Sequence, residues 1–151
     1  TKNAKLAFKN LIPLLKPNGY IVIGLYHLYG RLLTNMKQKI SPYVGENIRF
    51  FDKTLREMKS AGKKFAWQQD QFFNPHETSH TLKEILGWFD ENKIDFINSL
   101  PFNYKDTDKI FEKQKRPSSA ELFCSEPLLA FNIRQIREGG FFIAVGKKQN
   151  L

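Results

Sequence analysis

The stretch Leu15-Lys-Pro-Asn-Gly-Tyr-Ile-Val-Ile-Gly-Leu-Tyr26 decides the fold. Lys16-Pro-Asn-Gly19 is a turn by composition, because proline presets its φ while asparagine and glycine tolerate the left-handed region. Residues 20–26 then run apolar and rich in β-branched side chains, without polar alternation. Such a run reads as a strand buried on both faces, typical of a parallel sheet. Upstream, Ala4, Ala7, Phe8, Leu11, Ile12 and Leu15 share one face of a helix over residues 2–15. Pro13 is expected to end or kink its last turn. Helix, turn and buried strand make half of an αβ unit.

Working outward, residues 28–40 form a candidate helix that Ser41-Pro42 breaks. Residues 46–61 look helical, with Ile48, Phe51, Leu55 and Met58 on one stripe and Gly62 as the stop. Lys63 to His80 shows no clean period and reads as a long ordered loop, the kind that often serves function. Thr81-Leu-Lys-Glu84 is a capping box opening the helix Leu82–Asn92, with Leu82, Ile85, Leu86 and Phe89 inward. Ile94–Leu100 is a strand near a sheet edge, closed by Pro101. Residues 102–125 read as irregular with one short helix around 106–114, and residues 127–137 as a further helix. Gly139-Gly140 turns the chain into a last buried strand, Phe141–Gly146, and Lys147-Lys148 ends it in water.

The chain has 151 residues, enough for one domain with a core. Its 41% hydrophobic and 26% charged residues are those of a soluble globular protein, not of a disordered one. No apolar run approaches the roughly 18 residues of a membrane helix, so no membrane partner is expected. The single cysteine, Cys124, excludes a disulfide framework and points to a reducing, cytoplasmic setting; it reads as a small, partly buried apolar residue. The net charge of +9 is spread along the chain, and its densest patch, Lys113-Gln-Lys-Arg116, is too short for a binding arm. Spread in this way, the charge reads as a solvated surface rather than a nucleic-acid footprint, and a nucleic-acid partner is not expected. The chain opens on helical sequence at Thr1, which reads as a piece of a longer protein, a trimmed start being the alternative.

The whole order resembles the C-terminal half of class I S-adenosylmethionine-dependent methyltransferases. Leu15-Lys-Pro-Asn-Gly-Tyr20 is similar to the family's Leu-Lys-Pro-Gly-Gly-Tyr segment entering the fifth strand, with Asn18 in place of the first glycine. Trp88-Phe-Asp-Glu-Asn92, Ile94–Leu100 and Pro101 are similar to the sixth strand and its approach. Gly139-Gly-Phe-Phe-Ile-Ala-Val-Gly-Lys147 is similar to the seventh, which in that family returns antiparallel between the fifth and sixth. The resemblance implies an α/β, Rossmann-like sheet of order 3-2-1-4-5-7-6. This chain would carry strands 5, 6 and 7 as a single partial domain over 1–151, with insertions at about 28–80 and 102–126. It also implies methyl transfer from S-adenosylmethionine to a small-molecule acceptor in the intact enzyme. The family holds its cofactor on a Gly-rich loop after the first strand, the logic of doubly wound sheets. No G-x-G-x-x-G occurs here, and Gly139-Gly140 precedes a strand instead of following one. No cofactor-binding residue is assigned, and the chain alone is expected to be inactive. About 100 residues or more would be missing, at about 30 per βα unit. A central strand at 20–26 would then have lost a neighbour, so the chain should be marginal or dimerise through that open edge.

Two constellations can carry chemistry. His76-Glu-Thr-Ser-His80 matches the H-E-x-x-H zinc pattern, which needs both histidines on one helical face. The helix starts after the second histidine, so no metal ligand is assigned. His76 and His80 read as a loop lining the acceptor's pocket, or as polar residues before a helix cap. Similar Asn-Pro-His-Glu-x-x-His-Thr segments occur in methyltransferases resembling this one. Tyr26-His-Leu-Tyr-Gly-Arg31 follows the C-terminal end of the first strand, where open α/β sheets place ligands. Tyr26 would line the acceptor site, His27 would act as general base or orient the acceptor, and Arg31 would hold a carboxylate or phosphate. Packing and surface hydrogen bonding are the competing account of His27 and Arg31. Trp67, Phe72 and Phe73 would wall a lid or form the insertion's core. Two other functions stay open: a non-catalytic interaction domain that kept the half-fold, and an RNA methyltransferase, motivated by the charge.

Overall fold

A computed structural model describes residues 3–44, 57–72, 78–100, 109–130 and 140–150 of the chain. Two compact units result, one of Thr1–Arg31 with Thr78–Leu151 and one of Leu32–Glu77. The first unit holds α1 (Ala4–Leu11), β1 (Tyr20–His27), β2 (Ser79–His80), α4 (Leu82–Glu91), β3 (Ile94–Leu100), α5 (Ser119–Ser125) and β4 (Phe141–Lys148). The second holds α2 (Leu32–Val44) and α3 (Ala61–Phe72), which contact each other.

The sheet is mixed, in the order β2-β1-β4-β3. β4 runs antiparallel to both β1 and β3, with Val22 opposite Val145 and Ser99 opposite Ala144. The last strand thus lies between the other two long ones. β2 pairs parallel with β1 over Tyr26 and His27 alone. Among the described residues, Tyr20–Leu25 pair with no strand on that side, and β2 caps the C-terminal end of that edge.

One face of the sheet is covered by α1 and α4. Asn3 accepts from the amide of Leu6 and starts α1. Pro13 then converts the helix end into a 3₁₀ turn over Ile12–Leu14, and Asn18 turns the chain at φ 58°. Phe8 of α1 packs its ring 5.9 Å from Trp88 and 6.0 Å from Phe89 of α4. Beneath them lie Ile21, Phe96, Phe142 and Ala144 of three strands, and Leu122 of α5 joins the same core.

Several expectations are corrected. α2 continues through Ser41-Pro42 to Val44; a proline in the last turn forfeits only one helical hydrogen bond. Gly62 lies in the first turn of α3 rather than ending a helix, and residues 63–72 are helical where a loop is expected from Lys63 on. That helix lacks an apolar stripe, which is why its period was unreadable. The expected stripe at Ile48, Phe51 and Leu55 lies outside the described residues, and Met58 is not helical. Of the short helix expected around 106–114, residues 106–108 lie outside the described residues, Lys109 is in a 3₁₀ turn and 113–114 are irregular; the second insertion carries α5 at Ser119–Ser125. Residues 127–130 form a 3₁₀ turn, and the rest of the helix expected to 137 lies outside the described residues. Cys124 is exposed, not partly buried. No helix among the described residues is long and apolar enough to cross a membrane.

Candidate functional site

The C-terminal end of β1 gathers most of the residues singled out above. The turn after it is tied from three sides. His27 N–H donates to the Gly140 carbonyl at 2.6 Å, Leu28 N–H to the His80 carbonyl at 2.9 Å, and Arg31 N–H to the His27 carbonyl at 2.8 Å. Gly140, at φ 88°, packs so closely that a Cβ there would stand 2.6 Å from the Gly30 carbonyl carbon. Only glycine combines that backbone with that approach.

His27 is buried, its ring edge-on to Phe142 at 5.4 Å. Its Nδ1 accepts from the Gly30 amide at 3.4 Å, and its Nε2 lies 3.3 Å from Glu126 Oε1. An Nδ1 that accepts carries no proton, so the partners assign the neutral tautomer whose Nε2–H donates to Glu126. Glu126 is itself buried, and the same Oε1 accepts from the amides of Leu82 at 2.6 Å and Lys83 at 3.2 Å. Its carboxylate therefore fills the N-terminus of α4, satisfying amides that the helix cannot and placing negative charge at the positive end of the dipole. Thr81 completes the cap by accepting from the Glu84 amide at 3.1 Å.

Glu84 does not close the capping box. Its carboxylate pairs with His80 Nδ1 at 3.0 Å, while His80 Nε2 meets Thr78 Oγ1 at 3.0 Å and the ring stands edge-on to Trp88 at 5.2 Å. Across the sheet pairing, His80 is opposite His27. Arg31 is fully buried, with its guanidinium carbon 4.0 Å from the ring centroid of Tyr26, a cation–π contact out of water. Tyr26 in turn meets the edge of Phe141 at 5.8 Å.

Tyr26, His27, Arg31 and His80 are thus brought together, and His76 lies outside the described residues. Burial divides the four: His27 and Arg31 are interior groups, whereas Tyr26 and His80 are half-buried. The group that sequence reasoning missed is Glu126. Its only local mark is an acid before Pro127, which says nothing of a helix 44 residues upstream. Among the described residues, no three or more His, Cys, Asp or Glu side chains are placed to hold a metal. His80 sits in β2 and α4 begins after Thr81, so an H-E-x-x-H helical face is not formed there.

Two of the described glycines, Gly24 and Gly140, let other parts of this chain approach closely. A Cβ on Gly24 would meet the Phe141 ring at 2.5 Å, and Gly140 faces the Gly30-Arg31 backbone. Both close approaches are already filled by this chain. Along the unpaired edge of β1, an apolar groove of about 210 Å³ is lined by Phe8, Leu11, Val22, Leu25 and Trp88. No family model and no curated protein matches the chain. The fold and the site define an α/β protein with an open mixed sheet and a cluster of polar side chains at the C-terminal end of its second-position strand.

Proposed function

We propose that the chain is the acceptor-side part of a class I S-adenosylmethionine-dependent methyltransferase acting on a small molecule, with the cofactor held by sequence outside these residues. The observation that carries this reading is the sheet. A helix and the Lys16-Pro-Asn-Gly19 turn lead into β1, and the closing strand β4 lies antiparallel between β1 and β3. The unpaired edge of β1 supports it too, because β2 already pairs parallel at Tyr26 and His27 and a further parallel strand would continue that register.

In this reading, ligands meet the C-terminal end of β1. His27 is a positioning residue rather than a base, since its Nδ1 lone pair is taken by the Gly30 amide and its Nε2–H by Glu126. It fixes the loop on which Arg31 braces Tyr26. Tyr26 and His80 are the half-buried side chains placed to meet an acceptor. Their work is alignment and exclusion of water, which is most of what a methyl transfer asks of a protein.

The lack of a G-x-G-x-x-G loop in these residues favours a second reading, an interaction domain without a cofactor. One experiment separates them. The coding sequence upstream of Thr1 is joined to this chain, and cofactor binding is measured by calorimetry alongside methyl transfer to candidate acceptors. Saturable S-adenosylmethionine binding by the joined protein supports the methyltransferase. In that protein, H80A should raise KM for the acceptor while leaving cofactor affinity alone. A folded joined protein that ignores the cofactor gives the interaction domain.

A further inference from the structure

Where β3 begins and β4 ends, at the far end of the sheet from His27, a cleft of about 520 Å³ opens beside the last turn of α4 and the segment 113–116. Its floor is apolar, from Phe89, Ile94 and Phe96, all buried. Its walls carry Lys93, Lys113, Lys115 and Arg116 against Asp90 and Asp95. Both carboxylates are already engaged. Asp90 accepts from both terminal nitrogens of Arg116 at 2.6 Å each, and Asp95 accepts from the Gln149 amide group at 2.7 Å. Arg116 is therefore an anchor, and the Gln114 amide on the Ile97 carbonyl at 2.7 Å ties the same segment to β3. Three lysines remain around one cleft. Lys115 reaches an acid only at 4.0 Å, on Glu121, and Lys93 and Lys113 pair with none among the described residues.

Lys93 supplies an independent observation. It follows Asn92, the C-cap of α4, and stands at φ 55°. That left-handed position after a helix favours glycine, and an L side chain is strained there. α4 has no basic residue in its last turn. A lysine at an unstrained position in that turn would have answered the helix dipole as well. The strained position is the one whose side chain lines the cleft, and observed strain of this kind is a pointer to use.

We propose that this cleft binds a phosphorylated small molecule, with Lys93, Lys113 and Lys115 around the phosphate and the apolar floor beneath the uncharged part. The cleft lies within the roughly 300–1,000 Å³ range of small-molecule sites. Asp90 and Asp95 in its walls disfavour a continuous phosphodiester backbone. The inference stands apart from the methyltransferase reading, because none of its residues belongs to the β1 site.

The test uses the full chain, with inorganic phosphate and pyrophosphate as probes at constant ionic strength and chloride as control. Pyrophosphate should bind saturably by calorimetry and raise Tm, and chloride should not. K93G relieves the backbone, so it should keep or raise the ligand-free Tm while weakening pyrophosphate about fivefold, the worth of one exposed cation at contact distance. K113A should weaken it similarly. Absence of saturable binding, or binding unchanged in K93G and K113A, overturns the proposal. So does single-stranded RNA that binds with a steep salt dependence and resists competition by pyrophosphate, which would make the cleft part of a nucleic-acid face.

Discussion

Glu126 Oε1 receives two amides of α4 and faces the imidazole of His27 in a site shut from water. Removing a buried acceptor leaves each of these donors unsatisfied, which costs more than the hydrogen bonds are worth net. E126A should therefore lower stability by about 2–4 kcal/mol in chemical denaturation. E126Q keeps an accepting oxygen and loses the charge at the helix N-terminus, and should cost about 1 kcal/mol. Equal losses in the two variants would remove the carboxylate from its assigned role. G140A forces a Cβ into the Gly30-Arg31 backbone at φ 88° and should cost more than about 2 kcal/mol. Arg116 behaves differently, because it and Asp90 are half-exposed. The hydrogen bond and charge of Arg116 hold the Asp90 carboxyl below its usual range. A lowered folded value means the contribution is present above about pH 4 and fades as pH falls through that value. R116A should cost under about 1 kcal/mol at neutral pH, with the gap from wild type closing in acid.

At the scale of elements, α5 shows how far a short helix depends on its cap. Seven residues cannot repay helix nucleation on their own. Ser118 Oγ accepts from the Glu121 amide at 3.2 Å, and the Glu121 carboxylate accepts from the Ser118 amide at 2.6 Å, a complete capping box. S118A should remove about 1 kcal/mol, and amide exchange should quicken in residues 119–125 before it does in α4. Uniform quickening across the first unit would mean that α5 opens only with the whole. Ser118-Ser-Ala-Glu121 is a start signal legible in the sequence, since a serine followed three residues later by glutamate is the capping-box pattern. The capping pattern at Thr81-Leu-Lys-Glu84 was read as a box and is half of one, because His80 draws the Glu84 carboxylate away. Local pattern located the cap. The partner of its acid depended on β2 arriving beside β1.

At the largest scale, the decisive feature is the stretch of β1 that has no partner strand among the described residues, where Val22 is 50% exposed beside the apolar groove under α1. An apolar strand edge of this kind recruits another strand, such as that of a second copy. V22K places a charge on that edge with little buried area at stake. It should reduce self-association in sedimentation while changing stability by under about 0.5 kcal/mol. A wild-type chain that is already monodisperse at high concentration would show that the edge recruits nothing.

By itself the amino-acid sequence determined three long strands, the first helix and α4, but not the burial of the first strand, which was expected on both faces and is exposed at Tyr20 and Val22. In each case a continuous apolar run, a 3.6-residue period or a cap is written within one segment. It also brought Tyr26, His27 and Arg31 to one strand end, since they are neighbours in the chain. Only the tertiary structure decided what those groups are free to do. Glu126, 99 residues from His27, occupies its Nε2, and Gly140 closes on the loop that carries Arg31. Burial and pairing across such separations have no local signature, because the chemistry of a histidine is set by whichever segment the fold brings against it.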